Sequence, residues 1–166
     1  MKRNLLLVIL ALFIIIMSMS GCGSSKVNVA EVFSERVKTI SQENGELSRY
    51  SMGNLMNQGN GVYSSNVTVD GKTIGAISVT VKNEQIAEFT FSFSASGPSQ
   101  SEYQQPIIAT AMAMDSALDY IAAEEISDEL NLMLVFGDGS ASIENNGYTY
   151  SAVWKDDGLV YIKISK

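Results

Sequence analysis

The sequence predicts an α+β domain, an antiparallel sheet of about six strands with helices packed on one face. Three observations lead there. Ala87, Phe89, Phe91 and Phe93 alternate with Glu88, Thr90 and Ser92, so this stretch is a strand with one buried and one wet face. Asp70-Gly71 separates two such alternating runs, and that dipeptide accepts the positive φ angles of a two-residue hairpin turn. Elsewhere, apolar residues recur at the three- and four-residue spacing of a helix.

Asn28 and Glu31 form a capping-box pattern that opens the first helix. Val29, Val32, Phe33, Val37 and Ile40 make its apolar face, and Asn44-Gly45 stops it. Residues 46–61 are rich in Ser, Asn and Gly, with Leu47, Tyr50, Leu55 and Met56 as the apolar points. They read as a second short helix or a structured loop. Strands follow over 63–69, 73–82 and 86–94, the last two joined by a turn around Asn83-Glu84-Gln85.

Gly97-Pro98-Ser99 ends that pattern, and Ser101 with Gln104 offers the next capping box. Ile107, Ala111, Met114, Leu118 and Ile121 then form the stripe of a central helix. Ser127 is expected to begin another short helix, with Asp128 and Glu129 at its positive end and Gly137 closing it. The remaining strands span 141–144, 148–155 and 159–165, with turns at Asn146-Gly147 and Asp156-Asp157-Gly158.

Both halves thus run helix, short helix or loop, then three strands, giving candidate repeat units 27–97 and 98–166 within a single domain, 27–166. A shift of 76 residues lays Asp70-Gly71 on Asn146-Gly147, Thr73 on Thr149 and Ala76 on Ala152. The competing explanation is that hairpins in any meander share turn chemistry. In element order the tandem arrangement resembles beta-lactamase-inhibitory-protein-like domains, whose family binds other proteins on a concave sheet. That resemblance carries over no contact residue.

The chain is acidic, with 11 basic and 18 acidic residues and no histidine. Such a surface opposes nucleic-acid binding and close apposition to anionic lipid. Without histidine the commonest general base and metal ligand are missing, so no serine has its usual activating partner. Asp138-Gly139-Ser140 with Ser142 and Glu144 does not match a calcium loop, and Glu124, Glu125, Asp128 and Glu129 read as a solvated helix junction. No catalytic residue, metal site or cofactor is expected.

The beginning of the chain has a different character. Lys2 and Arg3 precede an apolar run from Leu5 to Met17, and Met19-Ser20-Gly21-Cys22 follows. The apolar run is too short for a comfortable membrane span and has the order of an export signal. These residues resemble a bacterial lipoprotein signal peptide, with Met19 where that family prefers Leu. The resemblance implies cleavage between Gly21 and Cys22, removal of residues 1–21, and a covalent diacylglyceryl lipid (palmitate) on Cys22. Residues 22–26 would then tether the domain to the extracytoplasmic face of the cell membrane. Cys22 is the only cysteine, so no disulfide can form within the chain.

Aromatic residues are the remaining candidates for recognition. Tyr148, Tyr150 and Trp154 share one parity of a strand and Tyr161 lies on the next. Trp154 is read as core, with Tyr148, Tyr150 and Tyr161 as candidate contacts to an envelope protein partner. The expected function is a non-enzymatic, protein-binding or accessory lipoprotein. The alternative is a small-ligand or glycan-binding lipoprotein serving a transporter or hydrolase, which requires a concave, aromatic-lined pocket.

Overall fold

The computed structural model describes residues 28–136 and 139–166. The expectations at Gly21, Cys22, the tether, Gly137 and Asp138 lie outside the described residues. Three helices cover one face of an eight-stranded sheet whose paired strands are all antiparallel. The α+β class holds, with two strands more than the sequence suggested.

Helix α1 (Val29–Glu43) buries Ala30, Phe33 and Val37. It starts at Asn28, whose side chain makes no cap bond, and stops where Asn44 donates from both its backbone N–H and its side chain to the Ile40 carbonyl. Residues 46–61 are neither of the expected alternatives in full. A single 3-10 turn (Gly45–Leu47) leads into strands β1 (Tyr50–Met52) and β2 (Met56–Gly59). Both strands pair with β3 (Val62–Val69) on the same edge, one at each of its ends. Leu47, Tyr50 and Met52 are buried, whereas every residue of β2 is exposed.

Strands β4 (Lys72–Lys82) and β5 (Gln85–Ser94) complete a first meander. Its turns show why the hairpin dipeptides matter: φ is positive at both Asp70 and Gly71, and equally at Asn146 and Gly147. Asn83 and Glu84 adopt the same pair of angles, so Glu84 holds a conformation usually left to glycine.

Helix α2 (Gln100–Met114) begins at Ser99, not at the expected Ser101. The Glu102 carboxylate accepts from the Ser99 backbone N–H at 2.7 Å and from its hydroxyl at 2.8 Å. Gln105 through Ala111 are all buried, as expected of a central helix. The expected stripe through Ile121 is nonetheless cut after Met114. Asp115 turns its carboxylate onto the Ala117 N–H at 2.9 Å, and Asp119 accepts from the Ala122 N–H at 2.9 Å to start a new helix, α3 (Tyr120–Phe136). Ile121 therefore falls on an exposed face, and Ser127 is a buried residue in the middle of α3.

Strands β6 (Ser140–Asn145), β7 (Tyr148–Trp154) and β8 (Leu159–Ser165) form the second meander. The two meanders join through their last strands, giving the order β1-β3-β4-β5-β8-β7-β6. Ile77, Phe91, Ile162 and Ala152 make one row across the four central strands, and Val79, Phe89, Ile164 and Tyr150 the next. All eight are buried beneath the helices. Phe91, Phe93 and Tyr103 stack with ring centroids 5.0 and 4.7 Å apart, which fastens α2 to β5. The buried apolar side chains run from Ala30 to Ile164, so residues 27–166 carry a core of their own.

Candidate functional site

Two surfaces stand out once the helix-covered face is filled. The first is the open face of the sheet together with the end of the β7–β8 hairpin. The row Ser64, Ser78, Thr90, Lys163, Ser151, Ser142 crosses six strands with short hydroxyl side chains and one cation. Glu88 and Lys163 close an ion pair at 2.6 Å across β5 and β8, so Glu88 does more than face water. The neighbouring row runs Ser92, Tyr161, Val153, Ser140 and ends the polar field on an aromatic and an exposed valine.

The strand parity read from the sequence is right, but the assignments made from it reverse. Tyr150 is 0% exposed, in register with Ile164 and Ile143 beneath the helices, and cannot touch a partner. Burial, then the proximity of Asp115 and Tyr148, pushes its hydroxyl up to about 12. Trp154, read as core, is 51% exposed. It shares the buried parity, yet it is the last residue of β7, where the cover of α3 runs out. Its N–H donates to the Gly139 carbonyl at 2.8 Å, and Gly139 follows three residues after the end of α3. Near the end of α3, Leu132 and Val135 are also exposed, at 55% and 58%.

Tyr161 lies half-exposed on the open face with the Lys155 ammonium 4.4 Å from its ring centroid. Tyr148 is half-buried and committed to structure, since its hydroxyl donates to the Met114 carbonyl at 2.7 Å. Tyr150 is thereby excluded as a contact, while Tyr161 and Tyr148 keep exposed surface. Val153 and Lys155 lie beside Tyr161, and Trp154 adds a candidate contact on the other face of the strand.

The second surface is a cleft of about 330 Å³ between α1, the end of α2 and the starts of β5 and β7. Val32, Phe33, Ile86, Ala113 and Met114 supply apolar walls, and among the described residues Arg36 and Lys166 are the charged ones that line it. Sequence reading missed it because its parts are scattered along the chain. The helical spacing put Val32 on the apolar face of α1, but it is 57% exposed, three residues from Val29 and four from Arg36.

Among the described residues no group of three or more His, Cys, Asp or Glu is placed to hold a metal ion. No described helix is long and apolar enough to cross a membrane. No protein-family model matches the chain, nor does any curated protein or solved structure.

Proposed function

We propose that the chain is a membrane-anchored, extracytoplasmic lipoprotein whose folded body binds a protein partner in the envelope. The anchor rests on the basic start, the apolar run and Met19-Ser20-Gly21-Cys22, with Cys22 carrying the diacylglyceryl group. The two acyl chains of that group give stable attachment where one gives only marginal binding. With no histidine in the chain, binding is favoured over catalysis.

The observation that carries the partner reading is Trp154, 51% exposed at the end of β7. It lies on the helix side of the sheet, where Leu132 and Val135 of α3 are exposed as well, while Val153 and Tyr161 belong to the opposite, open face. An exposed tryptophan is a favoured anchor of a protein interface.

A photo-crosslinking residue in place of Trp154, activated on intact cells, tests the partner. One reproducible protein adduct is expected from that position and none from Gln58, which is exposed on the far edge strand β2. The same adducts from both positions, or none from either, would sink the reading. The anchor is tested separately: Cys22→Ser should move the protein out of the membrane fraction, and a mature chain bearing an unmodified Cys22 would refute lipidation.

A further inference from the structure

The cleft between α1 and the end of α2 carries charge opposite to that of the molecule. The chain as a whole is −7, yet among the described residues the charged side chains that line this space are Arg36 and Lys166. Neither takes part in an ion pair among the described residues. Arg36 spends one N–H on the Met112 carbonyl at 3.3 Å, which leaves most of its five donors unused. The Lys166 ammonium lies 5.6 Å from the Tyr148 ring centroid. Two of the last-turn carbonyls of α2, those of Met112 and Met114, accept from Arg36 and Tyr148.

The rest of the lining is hydrocarbon. Phe33 and Ala113 form a buried floor, and Val32, 57% exposed, lies where solvent reaches the lining. An exposed valine within a basic, apolar-walled space has no role in the core, since Ala30, Phe33 and Val37 already fill the buried face of α1.

We infer that this cleft binds an anionic amphiphile, with one acyl chain against Val32, Phe33, Ile86 and Met114 and its carboxylate or phosphate held by Arg36 and Lys166. A space of about 330 Å³ is near the small end of ligand pockets and suits a single chain. The same headgroup chemistry could reach the cleft from a dispersed single-chain amphiphile or from the phosphate of a bilayer lipid. The acidic surface disfavours approach to an anionic bilayer, which points to the dispersed molecule. This binding is separate from the Trp154 surface and does not depend on it.

Calorimetric titration of residues 27–166 with decanoate and decyl phosphate below their micelle concentrations tests it, with decyltrimethylammonium and decyl maltoside as controls. Both anions should bind saturably at one site, more weakly as salt rises. Arg36→Gln and Lys166→Gln should each weaken them by about ten-fold. Val32→Asp, an exposed substitution that leaves the core intact, should abolish anion binding while the thermal melt stays unchanged. Vesicles of phosphatidylglycerol and of phosphatidylcholine separate the sources. Decyl phosphate binding without vesicle sedimentation assigns the dispersed amphiphile, and Arg36-dependent sedimentation on phosphatidylglycerol alone assigns the bilayer phosphate. Equal affinity for the cationic amphiphile, undiminished binding in the Arg36→Gln/Lys166→Gln double variant, or no saturable binding by either route would overturn the inference.

Discussion

The Tyr148 hydroxyl donates to the Met114 carbonyl at 2.7 Å, joining the first residue of β7 to the last residue of α2. Asn146 repeats the tie one residue further on, donating to Asp115 at 2.9 Å. The second meander is thereby pinned to the end of the central helix. Tyr148→Phe should cost about 1 kcal/mol in urea unfolding, the usual net worth of such a bond. It should leave crosslinking from position 154 unchanged.

Tyr150 presents the opposite case. Among the described residues its buried hydroxyl has no hydrogen-bond partner, so Tyr150→Phe should be neutral or stabilising by up to about 1 kcal/mol. Alkaline titration gives an independent check. The hydroxyl is raised from 10.0 to about 12, so its contribution is fully present below pH 10.0 and is lost as pH rises toward 12. The phenylalanine variant should lose less stability over that window, read by tyrosinate absorbance and circular dichroism together.

Gly75 lies where β4 comes closest to the β5 side chains. A Cβ there would stand 2.4 Å from the Ser92 carbonyl oxygen and 2.7 Å from the Phe91 ring. The backbone oxygen cannot swing aside as a flexible side chain would. Gly75→Ala should therefore destabilise by about 1–3 kcal/mol in chemical denaturation.

Acid should act through two exposed carboxylates. The hydrogen bond from Arg49 holds Asp70 below its ordinary value, and the backbone N–H and hydroxyl of Ser99 do the same for Glu102. Each depressed group contributes stability above its unfolded pKa, lost as pH falls through the folded one. Stability should decline on acidification below about pH 4.5, the ordinary value of Glu102. Asp70→Asn and Glu102→Gln should each flatten that decline in acid-unfolding curves, with added salt weakening the Asp70 effect.

The strands legible in the sequence were those with alternation on both sides of a strong turn. Phe89, Phe91 and Phe93 announce their own burial, and Asp70-Gly71 and Asn146-Gly147 announce the reversal between strands. β2 gave no such sign because Met56–Gly59 is an exposed edge with nothing to alternate against. The break after Met114 was hidden for another reason. The apolar spacing runs on through Leu118, and what ends the helix is the local capture of the Ala117 N–H by the Asp115 side chain.

The candidate surfaces were less legible than the fold. Period-two reasoning put Tyr150 and Trp154 on one face correctly, but whether that face is covered depends on where α3 ends above it. A strand's parity is local, while its roof is tertiary. The cleft is harder still, since Arg36, Met114, Tyr148 and Lys166 meet only after every element between them has folded.

The joint between the meanders also sets a timetable. β5 is hydrogen-bonded on one side to β4, its neighbour in the chain, and on the other to β8, the last strand of all. A chain delivered amino-terminus first must hold the phenylalanine-bearing edge of β5 unpaired until its final segment arrives. Late strand insertion of this kind is slow and leaves an open edge that other chains can join. Deleting β8 would therefore do more than shorten the sheet: it would part β5 from β7 and leave the middle unzipped.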